Sequence, residues 1–198
     1  METTSQQSTP PGSNGPLTGV RILDLTSVVL GPIATQILGD YGAEIIKVEN
    51  VDGDLMRANG VSLHPGMSSI FLAVNRNKRS ITLNLKTEKG REILKALAKD
   101  ADVFIENYRA GAFKALGLGY EDLKKLNPRL IYCSITGYGQ SGPRATDAGH
   151  DLNYIGSTGL LAFQPGPPDR PVVPPALVAD IGGGTFPAVI NILLALRQ

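Results

Sequence analysis

From residue 20 onward the apolar residues fall in short, nearly unbroken runs, separated by stretches with helical spacing. Val20-Arg-Ile-Leu-Asp-Leu25, Glu44-Ile-Ile-Lys-Val-Glu49, Ile81-Thr-Leu-Asn-Leu85, Asp102-Val-Phe-Ile-Glu106 and Arg129-Leu-Ile-Tyr-Cys-Ser-Ile135 each have strand length and strand composition. Gly31-Pro32 opens a helix that runs to about Tyr41 and ends at Gly42, with proline in its first turn and glycine just past its end. A second helix covers Thr87 to about Lys99, where Ile93, Leu94 and Leu97 keep the helical period. This alternation predicts an α/β fold, a Rossmann-like and mostly parallel sheet with flanking helices. Residues 50–70, with Gly53, Gly60, Pro65 and Gly66, read as a long loop over a site. Nothing repeats internally.

Composition narrows the function classes. A chain of 198 residues with 42% apolar and 19% charged residues can bury one sizeable core. Residues 1–16, a polar stretch with Pro10, Pro11 and Gly12, are expected to be a disordered tail without a secretory or mitochondrial signature. The domain is expected over 17–198. A net charge of +1 argues against a nucleic-acid partner held by bulk charge. The single cysteine, Cys133, excludes an internal disulfide and a multi-cysteine zinc site, and no metal is expected. No stretch approaches the ~18 apolar residues of a bilayer span, so no membrane partner is expected and the cytoplasm is the default compartment.

The candidate chemistry rests on His150 and Asp180. His150 lies in Ala148-Gly-His-Asp-Leu-Asn-Tyr154, a glycine turn opening a helix. Asp180 lies in Leu177-Val-Ala-Asp-Ile-Gly-Gly-Gly184, a turn of small residues before an apolar helical stretch. A histidine and a carboxylate at helix mouths suit proton exchange near neutral pH, although a turn hydrogen bond and a helix cap would explain them too. A dinucleotide fingerprint is not supported. Leu30-Gly-Pro-Ile-Ala34 lacks the glycines, and Gly137-Tyr-Gly-Gln-Ser-Gly142 is followed by Pro143 rather than by a helix.

The chain resembles the N-terminal part of the family III CoA-transferases (the CaiB/BaiF type), a superfamily that includes α-methylacyl-CoA racemase. Carrying the resemblance are Gly19-Val-Arg-Ile-Leu-Asp-Leu-Thr26, Gly31-Pro32, Gly39-Asp-Tyr-Gly-Ala-Glu-Ile-Ile-Lys-Val-Glu49 and Asn75-Arg-Asn-Lys-Arg-Ser80. Ile105-Glu-Asn-Tyr108, Leu118-Gly-Tyr-Glu-Asp122, Asn127-Pro-Arg129 and Ser134-Ile-Thr-Gly-Tyr-Gly-Gln-Ser-Gly-Pro143 continue it. In the transferases, the aspartate matching Asp180 is the nucleophile that carries acyl anhydride and CoA thioester intermediates. In the racemases it is one of two bases, the other being a histidine in the Ala-Gly-His-Asp motif that His150 matches. That histidine favours racemisation of 2-methylacyl-CoA thioesters through an enolate. CoA transfer through Asp180 is the alternative, and a non-catalytic acyl-CoA-binding remnant is a third reading.

The resemblance also implies a ligand set. Coenzyme A is expected as part of the substrate, not as a permanently bound cofactor. Leu83, Asn84, Leu85 and Lys86, then Glu106, Asn107 and Tyr108, then Gly149 and Asp151, are expected to line it. Arg76 and Arg79 are candidate phosphate contacts. Thr26 to Leu30 are expected near the thiol end, and Tyr138 and Gln140 over the thioester. Two departures stand out: many members carry arginine where this chain has Asn50, and formate-type transferases carry one near Ala115, so either Arg57 or Arg109 substitutes or CoA binds differently. The helical pattern Leu193-Leu-Ala-Leu-Arg-Gln198 has no cap, and the resemblance implies a longer chain that forms an interlocked homodimer.

Overall fold

The computed structural model describes residues 15–167, 169–170 and 172–198; the expected tail over 1–16 falls, up to residue 14, outside them. The strands are β1 (Arg21–Leu25), β2 (Glu44–Glu49), β3 (Lys78–Thr82), β4 (Val103–Glu106) and β5 (Ile131–Ser134). They form one 5-stranded sheet in the order β3-β2-β1-β4-β5, and every pairing is parallel.

A parallel sheet must be covered on both faces, so its central strands are buried on both sides, with apolar residues on each face and the buried charged ones concentrated toward their carboxyl ends. Successive side chains supply the two faces. Ile22, Ile45, Val103 and Ile105 pack with Ala34 and Leu38 of α1 (Leu30–Asp40) and with Ala188, Val189 and Ile192 of α7 (Phe186–Ala195). Leu23, Leu25, Val48 and Phe104 point the other way. They meet Leu94 and Ala98 of α3 (Glu88–Lys99), Phe113 of α4 (Ala112–Ala115) and Leu123 of α5 (Tyr120–Leu123). Thr87 caps α3 by accepting a hydrogen bond from the Gly90 N–H, as its position before the apolar period requires.

Three expectations are corrected. The third strand begins at Lys78, not Ile81, because its pairing is set by the β2 backbone (Ile45 opposite Lys78) and not by its own apolar content. The stretch read as loop over 50–70 holds a 3-10 turn at Leu55–Arg57 and runs into α2 (Ser69–Val74), capped by the Ser68 hydroxyl. Residues 178–195 form one continuous helical segment, a π-helical turn (Val178–Thr185) running into α7, and its mean hydropathy of 1.5 is that of a membrane span by length and composition. Here its inner face, Ala188, Val189 and Ile192, is buried against the sheet, while Phe186, Ile190 and Leu194 are exposed.

Candidate active site

The chain order reverses at β1: β2 and β3 lie on one side of it, β4 and β5 on the other. The connection after β1 leads to α1 on one face, whereas that after β4 leads to α4 and α5 on the opposite face. Between the diverging connections, at the carboxyl ends of the strands, a parallel sheet opens its ligand crevice. A cleft of about 630 Å³ lies there. Its walls are Ser27–Leu30 after β1, Asn107–Ala110 after β4, Ile135–Tyr138 after β5, and Gly149, His150 and Asp180.

His150 and Asp180, distant in sequence, thus share one cleft. His150 is the exposed residue before α6 (Asp151–Ser157), and its backbone N–H donates to the Asn153 side chain at 2.9 Å. Asp180 is half-buried in the first turn of the π-helical segment, a geometry that is rare and concentrated at functional sites. Buried Asp151 fixes it: one carboxylate oxygen accepts the Ala179 N–H at 2.7 Å and the Asp180 N–H at 2.9 Å. Burial raises the Asp180 pKa, the Asp151 charge raises it further and His150 opposes them. The more basic carboxylate is the better nucleophile once ionised. Asp151 therefore acts on Asp180 from beneath; its carboxylate is engaged there rather than with a ligand.

The loop before α6 is shaped by Tyr154. Its hydroxyl donates to the Gly149 carbonyl at 2.8 Å, and its ring meets Tyr138 edge-on at 5.3 Å. The Arg144 guanidinium in turn lies 3.8 Å over the Tyr138 ring. A Cβ on Gly137 would stand 2.2 Å from the Tyr154 hydroxyl, and one on Gly149 would stand 2.8 Å from its ring. Both glycines are there for close approach, not for unusual dihedrals. Gly137→Ala should swing the ring, break the bond to Gly149 and cost about 1–3 kcal/mol. Urea unfolding checks this, and a loss below ~0.5 kcal/mol would show that the ring moves freely.

Beside the cleft, partly lining a second cavity of about 400 Å³ that shares Ser27 and Tyr108 with it, lies an ionic layer that the sequence reading did not foresee. Lys47 and Asp54, each 1% exposed, pair at 2.9 Å, and Lys47 Nζ also donates to the Thr26 carbonyl at 2.8 Å. Lys78 pairs with fully buried Asp24 at 3.0 Å, and Asp24 also accepts from the Thr26 and Thr35 hydroxyls. Arg57 grips Glu49 through two bonds of 2.6 Å and lies 3.8 Å over the Phe71 ring. Arg57 is thus engaged with Glu49 while lining the second cavity; exposed Arg109 stays on the rim of the cleft.

Glu49 links this layer to pH. Burial by itself would raise its pKa, but hydrogen bonds from Arg57, Ser80 and the Asp54 N–H bring it down to about 2. Its stabilising effect is complete above its ordinary value of 4.5 and is lost as the pH falls through about 2. Arg57→Ala should therefore be less stable than the parent at neutral pH, with the difference closing as both approach pH 2 in acid unfolding. A gap that stays constant down to that pH would overturn this reading.

The expected ligand residues divide by position. Asn107 and Tyr108 line the cleft, and Gly149 does too. Glu106 lies under its floor at 5% exposure, accepting from the Ser134 hydroxyl and from the Tyr108 N–H at 2.7 Å. Leu83 to Lys86 follow β3 at the same, carboxyl end of the sheet, with Leu83 buried in the core and Asn84 turned back on the Lys86 N–H. Arg76 and Arg79 are corrected. They lie where β3 begins, at the amino end of the strands, and are paired with Asp40 and Glu44. No loop order could bring both to the crevice. Ser27 to Leu30 and Tyr138 line the cleft and buried Thr26 does not, while Gln140 donates to Ser134 at 2.6 Å outside its lining. His64 is on the surface. Among the described residues no cluster of His, Cys, Asp or Glu has the arrangement of a metal site.

The backbone strain at Val28 was not foreseen. The residue has φ of +73°, costly for a β-branched residue by ~1–3 kcal/mol, and such strain gathers where a chain is held for function.

Known proteins carry the same architecture. The succinyl-CoA:glutarate CoA-transferase of Mus musculus is 50% identical over 173 residues, covering 86% of this chain and 39% of that protein. The succinate–glutarate CoA-transferase of Agrobacterium fabrum is 43% identical over 183 residues, covering 89% of this chain and 46% of its own length. The crystal structure of a CAIB/BAIF family protein from Brucella suis superposes with a TM-score of 0.83 at 43% identity, over 93% of this chain and 50% of that one. This chain therefore spans half or less of the length of these relatives. The sequence profile of CoA-transferase family III matches residues 17–198, every element of the sheet and both candidate residues included, and the chain belongs to that family.

Proposed function

We propose that the full-length protein transfers CoA from an acyl-CoA to a free carboxylic acid, with Asp180 as the nucleophile. The observation that carries this is the half-buried Asp180 carboxylate in the switch-point cleft, its backbone N–H held by Asp151, with burial and a neighbouring charge increasing its basicity. In the first half-reaction the Asp180 carboxylate attacks the thioester carbonyl and expels CoA as a thiolate, leaving a mixed anhydride. The thiolate attacks the Asp180 carbonyl of that anhydride, freeing the donor acid and leaving an aspartyl-CoA thioester. An acceptor carboxylate then repeats these steps in reverse and restores Asp180. Coenzyme A enters as part of the substrate. Its path runs along the carboxyl ends of the strands past Leu83–Lys86 and Tyr108, with Arg109 and Lys86 as the exposed cations available to its phosphates.

The relatives' names make succinyl-CoA and glutarate the first pair to try. Labelled glutarate should appear in glutaryl-CoA when full-length protein is given succinyl-CoA. Absence of exchange with any dicarboxylic or monocarboxylic acid would reject the transferase. Racemisation is a second reading, favoured by His150 beside Asp180 in one cleft. Deuterium from solvent entering the α-position of a chiral 2-methylacyl-CoA, without exchange of acids, would establish it. Binding of acyl-CoA with neither reaction would identify a non-catalytic remnant. The interlocked homodimer implied by the family resemblance is part of the same proposal, and light scattering of the full-length protein tests it.

A further inference from the structure

The crevice at a topological switch point exists because the connections after β1 and β4 part company. Something must hold its two edges at a fixed separation. The backbone ladder does so only as far as Leu25 opposite Glu106, the last register pair of these strands. One residue further on, a side chain takes over. The Asn107 amide oxygen accepts the Ser27 N–H at 2.9 Å, and the amide nitrogen donates to the Ser27 carbonyl at 2.9 Å. This amide reproduces, across the opening, the paired donor and acceptor of a neighbouring strand. It also fixes both backbone groups of the residue just before Val28, whose φ is +73°.

The rest of the loop is held from other directions. Lys47 takes the Thr26 carbonyl at 2.8 Å, Asp54 accepts the Val28 N–H at 3.3 Å, and Thr185 donates to the Leu30 carbonyl at 2.7 Å. Thr185 ends the π-helical turn that carries Asp180. One set of contacts thereby ties the strained loop to the segment bearing the candidate nucleophile. A non-glycine residue stays at positive φ only when its surroundings over-determine it: Asp54 holds the Val28 N–H itself, and the paired hydrogen bonds from Asn107 fix both backbone groups of the residue before it.

We infer that Asn107 is a positioning residue for the reaction, setting the Ser27–Val28 wall of the cleft against Asp180, rather than a group that holds CoA. This rests on the transferase reading, and a substrate misplaced by a fraction of an ångström loses rate rather than affinity. In the full-length protein, Asn107→Ala should lower kcat by about tenfold to a hundredfold while KM for the acyl-CoA changes less than about threefold. Asn107→Asp keeps the acceptor for the Ser27 N–H and loses the donor, so it should recover part of kcat. It carries the same test if the alanine variant does not fold. A rise in KM at unchanged kcat would mean direct contact with CoA and would overturn the inference. So would an unchanged kcat in both variants. Hydrogen exchange separates this result from failure of the transferase reading. In protein with no substrate at all, the Ser27 and Val28 amides should exchange at least about tenfold faster in Asn107→Ala than in the parent. Equal exchange would overturn the inference whatever the enzyme's reaction proves to be.

Discussion

Asp180→Ala should abolish CoA transfer in the full-length protein, by on the order of 10⁴-fold or more in kcat, because it removes the carboxylate on which the acyl intermediate forms. Loss of a nucleophile removes a covalent pathway and not a share of one. The fold should be untouched: the segment is held by the Asp151 carboxylate on the Ala179 and Asp180 N–H groups, which the substitution leaves in place. Unfolding of the variant should thus match the parent within ~0.5 kcal/mol. The pH profile of the parent belongs to the same expectation. Since the Asp180 pKa is raised, chiefly by burial, the ionised nucleophile should be lost on acidification at a higher pH than for an ordinary aspartate. Transfer surviving Asp180→Ala within tenfold would move the chemistry to another residue.

The largest effect on stability is expected from Lys47→Met. The methionine fills nearly the same volume, so packing is kept, but Asp54 is left as a buried carboxylate that has lost its cation at 2.9 Å. Removing one member of such a pair costs about 3–5 kcal/mol, most of it the desolvated charge that remains. The Thr26 carbonyl loses its donor in the same step. Denaturant unfolding measures the loss directly. Lys47→Met combined with Asp54→Leu should recover much of it, because an apolar pair avoids the stranded charge. A single-variant loss below ~1 kcal/mol would mean that water reaches Asp54 and that the layer is not dry.

What could be read from the chain depended on whether a residue's role is local. The second strand was legible to the residue because β-branched Ile45, Ile46 and Val48 within a short segment bounded by Gly42 and Asn50 mark a strand locally. The third strand was not, since Lys78, Arg79 and Ser80 look like a solvated turn. Only the sheet edge they pair with, and the buried Asp24 that takes the Lys78 charge, make them a strand. The same blindness to pairing misplaced Arg76 and Arg79 as phosphate contacts. The helical run from Val178 was read as a turn because Gly182 to Gly184 lower helix propensity; tertiary contacts of Thr185 and Gly184 with Leu30 hold it in shape. His150 and Asp180 were legible through the resemblance. Their shared cleft, the support from Asp151 and the clamp of Asn107 on Ser27 depend on groups brought together from opposite ends of the fold, and no local pattern marks them.

The central claim is that Asp180 becomes covalently attached to CoA during turnover. Full-length protein incubated with succinyl-CoA, quenched in acid and digested for mass spectrometry should yield the peptide containing Asp180 with the mass of CoA added through a thioester. Adding glutarate before the quench should discharge it. An unmodified Asp180 peptide under conditions in which acyl-CoA is being turned over, together with solvent deuterium appearing at the substrate α-carbon, would contradict the claim and make Asp180 a base.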